Sequence, residues 1–160
     1  MKTKYCLAEG YTAMNFNVLS KKELADVLSW RNSTEVRSMM NSSGLIAIDE
    51  HLEYVESLRL DASKCYYKVD EIGVIYFTEL NSNTPSIGLY ANMENSEKAK
   101  GHILMKMIIH IAFDELGLDV IYLEVLESNS RAINLYKKFG FTQMSTKEGR
   151  IRMKLSYDRL

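Results

Sequence analysis

The chain has 160 residues, 46% of them hydrophobic and 26% charged, which is typical of one folded domain, and we expect that domain to cover residues 1–160. Twenty lysines and arginines against 21 aspartates and glutamates leave a net charge of -1, which excludes a general electrostatic attraction to nucleic acid or to an anionic membrane. Two isolated cysteines and three histidines without ligand spacing give no disulfide framework and no metal site, and no apolar stretch is long enough to span a membrane, so we expect a cytoplasmic protein that needs no metal.

The first third of the sequence predicts one strand and two helices. Residues 14–18 alternate apolar and polar side chains, as expected for a half-buried strand. Ser20 and Glu23 have the spacing of a capping box directly before an apolar helical pattern, so a helix should begin there. Asp49 is placed to cap a second helix, whose apolar residues again share one face.

The middle of the sequence predicts three antiparallel strands. The runs CYYKV and IGVIYFTEL are rich in β-branched and aromatic residues, and only Asp70 and Glu71 separate them, which predicts a tight hairpin. The turn around the single proline, Pro85, then leads into a third strand with the sequence SIGLYA.

The last third alternates helices and strands. Apolar residues keep helical spacing from Gly101 to Leu116, and Gly117 is a typical helix stop. VIYLEVL predicts a buried strand, SRAINLYKKF predicts a helix that ends at Gly140, and the remaining residues predict a closing hairpin. The elements together predict a mixed α/β sandwich (α+β), in which helices cover one layer of mostly antiparallel sheet and the strands on either side of the long helix lie parallel.

The stretch NSEKAKG, residues 95–101, places small and basic residues directly before the long helix. The N-terminus of a helix presents unpaired backbone N–H groups and a partial positive charge, so it can hold a pyrophosphate. Lys98 and Lys100 would add to that field, and Gly101 would let the backbone approach the phosphates. Taken alone, the pattern fits a solvated helix entrance equally well.

A second motif is LEVLESNSRAINLYKKFGF, which contains a strand, a polar turn and a short helix closed by glycine. The two motifs together resemble the Gcn5-related N-acetyltransferase (GNAT) superfamily, whose members use acetyl-CoA. The resemblance implies a mixed, mostly antiparallel sheet with a splayed parallel pair of central strands. It also implies that amides before the long helix bind the pyrophosphate. Ser96 and Ala99 replace two residues of the family's Q/R-x-x-G-x-G/A pattern, whereas Gly101 matches it.

The resemblance places the expected acetyl-CoA contacts in three segments of the chain. SIGLYA would run beside the pantetheine, the loop and first turn of the long helix would bind the pyrophosphate, and the short helix would close the site. The expected contacts are Leu89, Tyr90, Ala91, Lys98, Ala99, Lys100, Gly101, His102, Ile103, Asn129, Ala132 and Leu135.

Two residues are candidates for the catalytic chemistry. The resemblance implies that Tyr136, in LYKKFGF, is the general acid that protonates the departing thiolate, although a tyrosine at this helical spacing could also be a core aromatic. Glu124 lies on one face of its strand between apolar neighbours, where a carboxylate is costly unless it is partnered or working. It therefore either accepts a proton from the substrate ammonium, directly or through water, or lies on an exposed sheet face.

Four further segments, LSWRNSTEVRSMM, IDEHLEYVESL, IGVIYF and IGLYA, are similar to the N-acetyltransferases of bacterial pseudaminic acid synthesis. That group acetylates the 4-amino group of a UDP-linked 4-amino-4,6-dideoxy-N-acetyl-altrosamine, for flagellin glycosylation. The similarity implies a small-molecule UDP-amino sugar as partner and allows a homodimer. Protein N-terminal acetyltransferases share a related WRN pattern, so a peptide acceptor stays open, as does a non-catalytic acyl-CoA-binding domain.

The expected substrate-side residues lie in these segments. Arg31 and Asn32 follow the first helix, and Arg31 could face a phosphate of UDP or serve as a helix-end residue. His51 could bind the sugar or nucleotide or be a surface histidine. Tyr76 could line the acceptor cleft or stack on a uracil, or it could be a strand packing residue.

Overall fold

The computed structural model describes residues 2–40 and 44–158. Its strands are β1 (Lys4–Cys6), β2 (Thr12–Asn15), β3 (Cys65–Val69), β4 (Gly73–Thr78), β5 (Ser86–Ala91), β6 (Val120–Leu126), β7 (Thr142–Lys147) and β8 (Arg150–Ser156). The helices are α1 (Lys21–Arg31), α2 (Thr34–Arg37), α3 (Ile48–Leu58), α4 (Lys100–Ile109) and α5 (Ser130–Lys138). Over the described residues, no helix is both long enough and apolar enough to span a membrane.

The strands form one sheet in the order β1-β2-β3-β4-β5-β6-β8-β7. Neighbouring strands pair antiparallel, except for β5 and β6, which run parallel and share the single register pair Ser86–Tyr122. Beyond that pair the two strands diverge. The predicted fold class, with its splayed parallel pair in a mostly antiparallel sheet, is confirmed.

Local signals fix the start of α1. Ser20 accepts a hydrogen bond from Glu23 N at 3.1 Å, and the Glu23 carboxylate accepts one from Ser20 N, so the predicted capping box is confirmed. The prediction that Asp49 caps α3 is wrong, because Ala47 precedes the helix and provides no side-chain cap. Asp49 lies instead in the first turn, where its negative charge favours the helix N-terminus.

Three short elements depart from the sequence prediction. The strand predicted over residues 14–18 ends at Asn15, because the Asn15 side chain accepts a hydrogen bond from Asn17 N at 2.8 Å and a 3₁₀ turn follows. Strand β1 has three residues and is defined by its pairing with β2, so it leaves no periodic signal of its own. Helix α2 is a single turn that Ser33 caps.

The helices divide the core into two clusters on opposite faces of the sheet. Helix α4 buries Leu104, Met105 and Met107 against one face, and a π-helical turn from His110 to Glu115 continues it toward the predicted stop at Gly117. Helices α1 and α3 cover the other face of β3 to β5, and Val27 of α1 is fully buried there. Both clusters meet at β5, where the sheet splays.

Candidate active site

A cleft of about 910 Å³ lies between the end of β5 and the N-terminal turns of α4 and α5. It contains most of the residues that were predicted to contact the coenzyme, together with Tyr136. The predicted residues that line it are Leu89, Tyr90, Ala91, Lys98, Ala99, Lys100, Gly101, His102, Asn129, Ala132, Leu135 and Tyr136. The structure therefore brings residues from three separate segments of the sequence to one concave surface.

The first turn of α4 presents backbone amides to this cleft. Ala99 precedes the helix without a side-chain cap, and the first intrahelical bond runs from Ile103 N to Ala99 O at 2.9 Å. The amides of Lys100, Gly101 and His102 precede that bond, so they are the helix donors that can bind an anion. Their position at the cleft fits the diphosphate of a coenzyme.

The side chains of Asn95 and Glu97 hold the loop before α4 in place. The Asn95 side chain accepts a hydrogen bond from Glu97 N at 2.8 Å, and the Glu97 carboxylate accepts one from Ala99 N at 3.0 Å. The ammonium of Lys100 donates back to Asn95 O. These bonds fix the loop although the family's first glycine is absent, so Ala99 is compatible with the turn.

Ile103 was predicted to contact the coenzyme, and the structure does not bring it to the cleft. Its side chain is 7% exposed and packs in the core under α4. Its amide is already bonded to Ala99 O. The anion-binding amides therefore end at His102, whose ring packs against Phe139 with centroids 4.8 Å apart.

Gly101 sets the spacing between α4 and α5. A Cβ atom on Gly101 would lie 2.9 Å from Leu135 Cδ2, closer than ordinary packing allows. The absence of a side chain at Gly101 therefore leaves room for Leu135 between the two helices. On the α5 side, Asn129 accepts a hydrogen bond from Ala132 N at 3.2 Å and caps the helix.

Tyr136 reaches the cleft from α5. Burial, and to a smaller extent the neighbouring phenol of Tyr76, raises the pKa of Tyr136 to about 12. Its ring packs near Phe141, with centroids 5.9 Å apart. The hydroxyl is therefore protonated at neutral pH, as a proton donor must be.

Glu124 lies on the other side of the sheet from α4 and α5. The strand alternates as predicted, with Leu123 and Val125 buried and Glu124 exposed. Glu124 pairs in register with Arg152 of β8, whose guanidinium stacks on the Tyr122 ring at 4.7 Å. Glu124 does not line the cleft, and the structure places it on an exposed sheet face beside the gap between β5 and β6.

The predicted substrate-side residues Arg31, Asn32, His51 and Tyr76 lie on the same side as Glu124, outside the cleft. The amide of Asn32 bonds to both backbone groups of Ile46 at 2.9 Å, so it anchors the loop before α3. Burial raises the pKa of Tyr76, and the nearby positive charge of Arg31 partly opposes that effect. Arg31 and Tyr76 are thus close neighbours, whereas Asn32 has a structural contact.

His51 joins α3 to α1 instead of facing a ligand. It is 7% exposed, its Nε2 lies 3.1 Å from Leu24 O, and its ring meets Phe16 edge-on at 6.3 Å. Burial lowers the pKa of His51, so the folded protein favours the neutral imidazole. The structure does not bring His51 to the site, and its contacts favour a structural role.

His51→Gln is expected to reduce the loss of stability at acidic pH. Because burial depresses the pKa of His51 in the folded state, its contribution is fully present above the unfolded value of about 6.5 and is lost as pH falls below it, by at most about 1.4 kcal/mol per pH unit. Urea unfolding midpoints at pH 7.5 and pH 5.5 measure this slope. Equal slopes for the two proteins would contradict the assignment.

Sequence reasoning missed one wall of the cleft. This wall of the cleft is apolar and consists of Val36, Met39, Met40 and Met93. The signal was the run VRSMM, in which Val36, Met39 and Met40 have the i, i+3, i+4 spacing of one helical face within an otherwise polar connection. Flexible methionines in such a connection suit a ligand wall better than a core.

The cleft combines backbone amides that can bind an anion with a tyrosine that can donate a proton, as an acyl-CoA-dependent transferase requires. The sequence profile described as Acetyltransferase (GNAT) domain matches residues 14–142. The chain belongs to this family. The prediction of an acetyl-CoA-dependent N-acetyltransferase is thereby confirmed.

Two relatives from Campylobacter jejuni each match 80% of the chain. Acetyltransferase PseH from Campylobacter jejuni strain 81-176 is 35% identical over 132 residues, which is 80% of this chain and 82% of that protein. The crystal structure of C. jejuni N-acetyltransferase PseH in complex with acetyl coenzyme A is 29% identical, with a TM-score of 0.76 over 92% of this chain and 99% of that one. A spermidine N-acetyltransferase from Vibrio cholerae, 19% identical with a TM-score of 0.77 over 91% of this chain and 95% of that one, shares the fold alone.

Proposed function

We propose that the chain acetylates the 4-amino group of a UDP-linked 4-amino-4,6-dideoxy sugar in pseudaminic acid synthesis. The observation that carries this proposal is the 35% identity to C. jejuni Acetyltransferase PseH over 80% of the chain. A match over 80% of the chain extends well beyond the coenzyme-binding segments, whereas a shared fold alone would not indicate the acceptor.

The residues of the cleft fit the coenzyme. The amides of Lys100, Gly101 and His102 would hold the diphosphate, and the main chain of Leu89 to Ala91 would pair with the pantetheine as a further strand does. Bound acetyl-CoA supplies an activated acyl group on a thiol leaving group. The residues around it position that group at the gap between β5 and β6 and keep water from it.

Two side chains serve the proton transfers. Tyr136, held protonated by burial, donates a hydrogen bond and then a proton to the departing sulfur. Glu124, on the opposite face, receives the proton that the substrate ammonium must lose, directly or through water. An unchanged pH–rate profile in Glu124→Gln would exclude this role for Glu124.

The charge on the acceptor side favours an anionic acceptor over a polyamine. The guanidinium of Arg31 lies close enough to Tyr76 and Tyr90 to oppose the effect of burial on their pKa. A positive charge there suits the diphosphate of a nucleotide sugar and opposes spermidine or another polycation. The same argument weighs against a basic peptide.

The purified enzyme is expected to release thiol from acetyl-CoA with a UDP-4-amino-4,6-dideoxy sugar at a kcat/KM about 100-fold or more above that for spermidine, an aminoglycoside or an N-terminal peptide. Coupled thiol detection across these acceptors measures the difference. Preference for the peptide would replace the proposal with a protein N-terminal acetyltransferase. Thermal stabilisation by CoA without transfer to any amine would indicate a non-catalytic acyl-CoA-binding domain.

A further inference from the structure

One row of side chains crosses the sheet on the face that α1 and α3 cover in part. Tyr66 of β3 pairs in register with Tyr76 of β4, and Tyr76 pairs with Gly88 of β5. Continuing the Ser86–Tyr122 register by two residues places Gly88 level with Glu124 of β6. The row therefore runs from Tyr66 and Tyr76 to Glu124. Gly88 lies in this row beside the gap between β5 and β6.

The ring of Tyr76 occupies the space above that glycine. A Cβ atom on Gly88 would lie 2.1 Å from Tyr76 Cζ and 2.3 Å from its hydroxyl oxygen. The phenol thus extends from β4 across β5, and its hydroxyl end reaches the edge where β5 and β6 diverge. Tyr66 stacks on the Tyr76 ring from behind, with centroids 4.9 Å apart and planes 14° apart, and holds it in this position.

Tyr76 and Tyr136 approach the gap from opposite faces of the sheet. Tyr76 contributes to the raised pKa of Tyr136, so the two phenols lie within electrostatic range of each other although Tyr136 belongs to α5. Neither hydroxyl has a hydrogen-bond partner in the part of the chain that the structure describes. Tyr76 and Tyr136 are each half-buried, so both hydroxyl groups are available to a molecule in the gap.

We infer that the Tyr76 hydroxyl, laid over Gly88, holds the attacking amine of the acceptor at the gap between β5 and β6. The leaving sulfur belongs to the cleft on the α4 and α5 side, where Tyr136 lies. The amine must arrive from the other face, and the Tyr76 hydroxyl lies on that face, over Gly88. The identity of the acceptor in this inference rests on the proposed function. The position of the attacking amine rests only on the amide-forming chemistry of the family.

The phenol oxygen accepts a hydrogen bond from one N–H of the neutral amine and leaves the nitrogen lone pair directed at the thioester carbonyl. No proton passes to Tyr76, because burial raises its pKa and keeps the hydroxyl protonated. The C–N bond forms and the C–S bond breaks. The nitrogen, which has already given its ammonium proton to Glu124 or water, loses a second proton to water, and the sulfur takes the proton of Tyr136, which water then restores. Gly88 is the residue that allows this contact, since any side chain there would displace the ring.

Tyr76→Phe tests the contact with two acceptors, a UDP-4-amino-4,6-dideoxy sugar and cyclohexylamine, a simple cyclic amine. We expect kcat/KM to fall about tenfold for both acceptors, while the KM for acetyl-CoA and the melting temperature stay unchanged, because the lost hydroxyl has no partner within the described chain. Gly88→Ala should lower kcat/KM further by displacing the ring.

Tyr66→Phe is the matched control. Its hydroxyl accepts a hydrogen bond from Tyr54 at 3.0 Å and lies away from the gap, so its loss should lower stability slightly and leave both kcat/KM values unchanged. Wild-type kinetics in Tyr76→Phe with both acceptors, or an equal loss in Tyr66→Phe, would overturn the inference. If the wild-type enzyme shows no preference for the nucleotide sugar over cyclohexylamine, the proposed function fails, and the cyclohexylamine measurement still decides the role of Tyr76.

Discussion

Replacement of Tyr136 by phenylalanine is expected to lower kcat for acetyl transfer by about 10²-fold to 10³-fold, the range that loss of a positioned proton donor produces. The phenol lies on the cleft beside the start of α4, and no other residue of α5 with a titratable hydroxyl lines that surface in the described chain. Without it, the sulfur must leave as an unprotonated thiolate. Initial rates of thiol release with saturating substrates measure the effect.

The fold and the coenzyme site should survive this replacement. The hydroxyl of Tyr136 has no hydrogen-bond partner in the described chain, so its removal leaves no buried group unsatisfied. The dissociation constant for CoA should therefore stay within about twofold, because the pyrophosphate contacts lie on α4. Turnover at the wild-type rate would remove Tyr136 from the mechanism.

Tyr67→Phe is a suitable control for the loss of a tyrosine hydroxyl. Tyr67 is fully buried on β3 and donates a hydrogen bond to Lys2 O at 3.1 Å. Its replacement should cost about 1 kcal/mol of stability and leave kcat unchanged, the opposite outcome to that of Tyr136→Phe. The pair thus separates a catalytic hydroxyl from a structural one.

The burial of Tyr136 also determines how this residue should affect kcat at different pH values. Because burial raises the pKa of Tyr136 to about 12, the acid form persists between about pH 6 and about pH 10, and this residue should produce no alkaline loss of kcat in that window. Its contribution to stability is fully present below the unfolded value of about 10 and is lost as pH rises through the folded value. Any change in kcat near neutral pH must therefore come from the titration of another group.

Much of the fold could be predicted because its signals are local. The strands CYYKV, SIGLYA and VIYLEVL coincide with β3, β5 and β6, since each is an uninterrupted run of strand-forming residues between turn signals. The capping box at Ser20 is likewise a contact between residues that are close in sequence. Strand β1 was missed because three residues become a strand only through the partner that folds against them.

The candidate site was predictable on the coenzyme side and less so on the acceptor side. Backbone amides at a helix start depend on the position of the helix, which the sequence shows. The exposure of Glu124 depends on which face its neighbours occupy, and Leu123 and Val125 point away from it. The contact between Tyr76 and Gly88 depends on the register of β4 with β5, which no local pattern specifies.

Gly73→Ala is expected to lower the free energy of unfolding by about 3 kcal/mol, the upper part of the usual cost of overpacking. Gly73 pairs with Ala91 across β4 and β5. A Cβ atom there would lie 2.4 Å from Tyr90 O, 2.9 Å from Leu104 Cδ1 and 3.0 Å from Ala91 Cα. Two of these contacts are backbone atoms of the strand that lines the cleft, so a rotamer change cannot relieve them.

Thermal and urea unfolding should show a fall in melting temperature of about 6 to 12 °C for Gly73→Ala. Gly44→Ala is the matched control, because an added Cβ meets no atom within 4 Å and the backbone there is not left-handed. It should change stability by about 0.5 kcal/mol or less, or raise it slightly by restricting the unfolded chain. If both variants unfold like the wild type, the close packing of β4 against β5 and α4 is wrong. Because Tyr90 and Ala91 also line the cleft, CoA should bind more weakly to Gly73→Ala in proportion to the displacement of β5.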